Sequence, residues 1–162
     1  MSDTAKEELL SVIQSVCQAE MTEIPHSTPF GVIIPKENLA AVCENLHRHP
    51  ACYFDMLSCI TGVDNGVDAG TMEVIYHLYS IPHQRSLALK VILPRDHPNL
   101  ESISAIWKSA NWMEREVYDM FGIIFNHHPD LRRILLPADW KGFPLKKDYQ
   151  QEEYYRGMKI DY

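Results

Sequence analysis

The sequence predicts an α+β fold: a two-layer domain with a mainly antiparallel sheet packed by helices, followed by an extended C-terminal tail. Three observations carry this prediction. Met72, Val74, Tyr76 and Leu78 alternate with more polar neighbours, as do Leu87, Leu89, Val91 and Leu93. Such alternation marks antiparallel strands with one packed face, and a connector as short as residues 81–85 suits a hairpin. Leu9, Val12, Ile13 and Val16 recur instead at helical spacing. Beyond Asn126 neither period persists, and Pro129, Pro137 and Pro144 break any helix.

The elements follow in order. Residues 4–20 form an amphipathic helix with acids near its start, where the helix dipole favours them. Residues 30–34, FGVII, form a short strand stopped by Pro35, and a second helix covers 38–46 and ends near Pro50. Strands are expected at 53–61, 72–80 and 86–93, with Gly62, Gly66 and Gly70 marking the loop after the first. After Pro94 the pattern turns helical: one helix starts over 99–107, and another covers 112–121, with Gly122 at its C-terminal cap. The predicted division is an α+β domain at 1–125 and a docking tail at 126–162.

A structureless segment of more than about 30 residues is far longer than ordinary loops, so it is either disordered or functional. Trp140, Phe143, Tyr149, Tyr154, Tyr155 and Tyr162 are too many aromatics for a solvated tail. The tail is therefore expected to lie over a surface, its own domain's or a partner's. Charge separates the two regions. Residues 1–125 carry 16 acids against 8 Lys and Arg, a net of −8, while 126–162 carry 6 against 7, a net of +1. An acidic body disfavours nucleic acid. There is no apolar run of about 18 residues for a membrane helix and no signal-peptide pattern at the N-terminus, which favours the cytoplasm. Cys17, Cys43, Cys52 and Cys59 contain no C-x-x-C pair and read as small hydrophobes rather than cluster or zinc ligands.

The run 113–149 concentrates the polar, shape-defining residues. On the 112–121 helix, steps of about 100° place Met113, Val117, Met120 and Phe121 on one stripe. Glu114 and Glu116 flank this stripe; Arg115, Tyr118 and Asp119 occupy the far side, where Arg115 and Asp119 can pair at i, i+4. His127-His128 and His47-Arg48-His49 lack a third ligand at a known metal spacing. His128, before Pro129, is better suited to a hydrogen bond fixing the turn into the tail. The basic pairs Arg132-Arg133 and Lys146-Lys147 can meet Asp130 and Asp148 or a partner's acids. No Walker loop, dinucleotide motif or nucleophile motif is present.

Taken together, Glu114-Arg115-Glu116, Asp119-Met120-Phe121, His128-Pro129, Arg132 and Ile134-Leu135-Leu136 resemble the signature of one family. It is the C subunit of the proton-pumping NADH:quinone oxidoreductase, respiratory complex I. The stretch with Asp139, Trp140, Gly142, Lys146, Lys147, Asp148 and Tyr149 is similar to that family's C-terminal motif. The close match covers 112–149; His127 and Lys146 depart from the usual pattern, and the compact chain is expected to act as a separate polypeptide.

The resemblance implies a hydrophilic, peripheral-arm subunit on the cytoplasmic side of the inner membrane, reaching the membrane only through its complex. It implies docking on the large D-type, quinone-site subunit and on the Fe–S subunits. The assembly would use FMN, Fe–S clusters and quinone to couple NADH oxidation to proton translocation, while this chain binds no cofactor and is not itself catalytic. Glu114, Arg115, Glu116, Asp119, His128, Pro129 and Arg132 would, with the residues named next, set the tail's path and dock it on the partner. Arg133, Asp139, Trp140, Lys146, Lys147, Asp148 and Tyr149 would share in both roles. The alternatives are the equivalent subunit of a complex fed by ferredoxin, F420 or a hydrogenase module, or a stand-alone acid–base enzyme using Glu114, Glu116 and His128.

Overall fold

The computed structural model describes residues 3–17 and 20–160, so Gln18 and Ala19, within the predicted first helix, and Tyr162 lie outside the described residues. The elements run α1 Asp3–Val16, β1 Thr22–Ile24, β2 Gly31–Ile33, a 3-10 turn Lys36–Asn38, α2 Leu39–Arg48, β3 Met56–Asp64, β4 Thr71–Ser80 and β5 Arg85–Pro94. They continue with β6 Asn99–Glu101, α3 Ala110–Phe121, β7 Ile124–Asn126, β8 Tyr154–Tyr155 and β9 Met158–Lys159.

The main sheet is five-stranded in the order β1-β2-β5-β4-β3, antiparallel throughout except for the parallel β2–β5 pair. The alternation at 72–78 and 87–93 decides its sidedness. Met72, Val74, Tyr76 and Leu78 are buried, as are Leu87, Leu89, Val91 and Leu93, and β4–β5 register places Val74 opposite Val91 and Tyr76 opposite Leu89. The same core takes in Leu9 and Ile13 of α1 and Leu39, Val42, Cys43 and Leu46 of α2. Sheet and helices thus form the predicted two layers around one apolar interior.

Four details differ from the sequence expectation. The predicted helix at 99–107 is not formed: Asn99–Glu101 is a strand pairing in parallel with Ile124–Asn126, and residues 104–106 are turns. Its apolar residues are still used, since Leu100, Ile103 and Trp107 are buried. The strand expected from Tyr53 begins at Met56, because Tyr53 takes a left-handed turn at φ 37°, and it continues through Gly62 to Asp64. Gly62 stays within the strand, paired with Val74, and the Phe121 ring would come within 2.7 Å of any Cβ added there. An edge strand at Thr22–Ile24 was not foreseen. Finally, the tail is not without regular structure: β7 reaches into it, and β8 and β9 make a short hairpin.

Candidate interface: a buried carboxylate pair and the strap it holds

Helix α3 closes at Gly122, which adopts φ 75° and donates its N–H to the Tyr118 carbonyl at 2.8 Å. The helix carries the predicted apolar stripe, but it also hides two acids, Glu114 and Asp119, as completely as its Ala110, each with no exposed surface. A buried charge persists only when its hydrogen bonds are made. The two carboxylates find those bonds in different ways.

Glu114 accepts the Ile103 N–H at 2.8 Å on one oxygen and the Ser102 hydroxyl at 2.6 Å on the other. Ser102 in turn meets the Ser104 hydroxyl at 2.8 Å. These contacts explain why 102–104 is a turn under α3 rather than a helix of its own. His128 lies beside the pair, its Nε2 3.9 Å from Glu114 Oε2, with both side chains fully enclosed. His128 Nδ1 accepts the Asp130 N–H at 3.0 Å, so the ring proton sits on Nε2 and is donated to the Asn111 carbonyl at 3.0 Å. Burial pushes the Glu114 carboxyl up to about 7, against the opposing hydrogen bonds from Ser102 and Ile103. Burial also raises the Tyr76 phenol and the Cys43 thiol, and the Glu114 charge adds to both.

Asp119 anchors the strap. One oxygen accepts three successive backbone N–H groups, Ile134 at 3.0 Å, Leu135 at 2.8 Å and Leu136 at 2.9 Å. The other accepts from Arg133 at 2.7 Å. Burial raises this carboxyl, but the bonds from Leu136, Arg133, Ile134 and Leu135 outweigh it and hold it below its ordinary value. Arg133 also donates to the carbonyls of Asp119, Trp140 and Gly142, and lies 5.1 Å from the Phe143 ring centre. The predicted Arg115–Asp119 pair is therefore not made. Arg115 donates to the carbonyls of Arg132 and Arg133, at 3.1 and 3.2 Å, because Asp119 already faces a better-placed guanidinium.

A second anchor lies at the end of β3. Asp64 takes a two-pronged contact from Arg95, at 2.9 and 3.0 Å, together with the N–H groups of Gly66 and Lys147. Arg95 chiefly, with Lys147 and Gly66, holds the Asp64 carboxyl well below the usual carboxylate range despite its burial. Arg95 also bonds Asp148, so the guanidinium bridges body and strap. Between the anchors the Leu145 N–H donates to the Met120 carbonyl at 3.0 Å, and the Phe143 ring packs against Gly122.

The remaining sequence-selected residues are spread along the strap. Trp140 donates its indole N–H to the Tyr149 hydroxyl at 3.1 Å. Asp139 accepts from the Tyr155 hydroxyl and from Arg156. Arg132 pairs with Asp130 on the surface, Lys146 sits 5.3 Å from the Phe143 ring centre, and Lys147 contributes its backbone N–H rather than its charge. Pro129 is exposed, as is Glu116, which makes no ion pair among the described residues. The stand-alone enzyme reading needs Glu114, Glu116 and His128 at one accessible place. The structure brings Glu114 and His128 together but seals them, and leaves Glu116 on the outside.

Asp64, Arg95 and Ser102 are the site residues that sequence reasoning passed over. Asp64-Asn65-Gly66 carried a turn signal, since Asp accepts the N–H two residues on. Nothing local indicated that Asp64 would also hold a backbone 83 residues away.

The comparisons with known proteins concern the family and the fold. The family profile described as "Respiratory-chain NADH dehydrogenase, 30 Kd subunit" matches residues 32–155. A relative from Chloroherpeton thalassium, the C subunit of an NADH-quinone oxidoreductase, is 46% identical over 135 residues, which cover 83% of this chain and 55% of the relative. The chain thus spans little more than half of that protein's length. The corresponding C subunits of Chlorobium phaeobacteroides and Geobacter metallireducens are 39% and 41% identical, with 81% and 72% of their own lengths covered and 83% and 73% of this chain. Among solved structures, the trypsin-resistant fragment of Nqo5 aligns with a TM-score of 0.58 at 26% identity, over 78% of this chain and 99% of the fragment. A chain of an archaeal respiratory membrane complex, the membrane-bound sulfane sulfur reductase, shares the fold with a TM-score of 0.73 at 20% identity, over 90% of this chain and 85% of that one.

Proposed function

The chain belongs to the family of the 30 kDa subunit of the respiratory-chain NADH dehydrogenase, and from that premise we propose that it is a non-redox, non-catalytic subunit of the peripheral arm of an NADH:quinone oxidoreductase. It docks on the large, quinone-site subunit and steadies the neighbouring Fe–S subunits, while FMN, Fe–S clusters and quinone belong to other chains. The complex couples electron transfer from NADH to proton translocation. The chain stays peripheral on the cytoplasmic face of the membrane; among the described residues no helix is long and apolar enough to cross a bilayer.

The observation that carries this reading is where the family motif spends its charges. Asp119 and Arg133 use their hydrogen-bonding capacity inside the chain, and Glu114 and His128 are sealed beside them. A catalytic acid needs access to a substrate. A buried, saturated one fixes shape instead. The motif thus makes a rigid face of α3 and the strap, as an assembly subunit requires. A related complex fed by ferredoxin, F420 or a hydrogenase module would use the same face.

The test is recovery from native membranes through an affinity tag on this chain. The large subunit and the Fe–S subunits should co-elute with NADH:quinone activity. Elution of the chain alone, from membranes that hold the intact oxidoreductase, would refute the reading.

A further inference from the structure

Between β3, α3 and the strap lies a groove of about 260 Å³, below the roughly 300–1,000 Å³ typical of small-molecule pockets. Cys59 and Ile60 line one side, Met120 and Phe121 another, and Leu145 closes the strap side. Leu145 is 53% exposed, and Met120 and Phe121 are half-buried. The anchors described above create this groove, since the Leu145 N–H is fixed on the Met120 carbonyl. At its rim stands Glu116, exposed and without an ion-pair partner among the described residues.

We propose that this groove is the seat of a segment from a neighbouring subunit that inserts an apolar side chain beside a lysine or arginine, the cation meeting Glu116. The inference rests on the proposed function and names the contact through which that function is exercised. Two physical points select the occupant. Apolar walls favour an apolar insert, and covering Glu116 without a cation would strand a desolvated carboxylate. A second copy of this chain fits poorly, because the whole chain carries a net charge of −7 and two copies would repel one another. The strap's role is thus to shape the receiving face with Leu145.

The thiols supply the test. Cys17, Cys43 and Cys52 are buried and Cys59 is exposed, so maleimide labelling of the folded chain reads the groove directly. The complex is purified through a tag on another subunit, with Cys59→Ser as the labelling control. Labelling should be about tenfold slower in the complex than in the free full-length chain, because thiol reactivity follows exposure. Glu116→Lys should lower the amount of chain retained in the complex by about tenfold, and Glu116→Gln by less. Equal labelling in both states overturns the inference while leaving the proposed function standing. So does a Glu116→Lys chain with wild-type urea stability that is retained at wild-type level. Protection that grows with concentration in the free chain makes the occupant a second copy and also overturns it. Absence of the chain from the complex sinks the proposed function, and this inference with it.

Discussion

Glu114 shows how a single side chain can reveal the tension between burial and charge. Its ordinary carboxyl value is 4.5, and burial lifts it to about 7 in the folded chain. The fold therefore binds a proton more tightly than the unfolded chain does, and stability falls as pH rises between these two values. The contribution is fully present below about pH 4.5 and lost as pH passes 7; a rise from 4.5 to about 7 corresponds to about 3 kcal/mol. Asp64, Asp119, Asp148 and Glu101 are shifted the other way, so their contributions disappear on acidification. A difference measurement separates the two. Glu114→Gln keeps an oxygen for the Ile103 N–H, and the Ser102 hydroxyl can turn to accept from the new amide. Urea melts of this variant should lack the decline between pH 4.5 and 7 that the parent shows. Parallel curves for the two proteins across that range would show that Glu114 stays ionised in the fold.

At the scale of elements, the fit between α3 and the strap depends on the left-handed residue that ends the helix. Gly122 combines φ 75° with a Phe143 ring 2.6 Å from the position of any added Cβ. Gly122→Ala should thus cost about 1–2 kcal/mol for the backbone and about 1–3 kcal/mol more for displacing the ring. Gly70 is the control, with φ 61° and open space around it, so Gly70→Ala should show only the backbone part. Urea midpoints measure the totals, and hydrogen exchange at residues 143–147 should quicken in the first variant alone. The sheet was legible in the sequence because its signal is local: alternation over 72–78 and 87–93 fixes which face is buried. Helix α3 was half legible. Helical spacing found the stripe with Val117 and Phe121, but no apolar pattern reveals that Glu114 and Asp119 are buried, since their partners at 102–103 and 133–136 lie elsewhere in the chain. The failed helix at 99–107 has the same cause. Its residues look helical in isolation, yet Asn99–Glu101 pairs with β7 and the following turn is captured by Glu114. Gly62 read as a loop signal because its reason for being glycine, the ring of Phe121, is remote in sequence.

At the scale of the whole molecule, the strap falls into two parts held by different physics. Residues 127–149 are tied to the domain by the buried Asp119 and Asp64 anchors, within the chain itself. The stretch from Gln150 onward is held by exposed pairs, Lys141 with Glu152 and Asp139 with Arg156, and by the Trp140–Tyr155 ring contact. Exposed ion pairs contribute about 0–1 kcal/mol, whereas removing one partner of a buried pair costs about 3–5 kcal/mol. Two truncations distinguish these regimes. A chain ending at Gln150 keeps both anchors and should unfold in urea close to the full-length midpoint. A chain ending at Asn126 leaves the Asp119 carboxylate without Arg133 and without the three N–H groups, and removes His128 from above Glu114. It should lose several kcal/mol, about the buried-pair cost above, and expose the groove side of α3 to proteases. If the shorter chain proved as stable as the parent, the two carboxylates would not be what holds the strap, and the rigid face on which assembly is argued would have no physical basis.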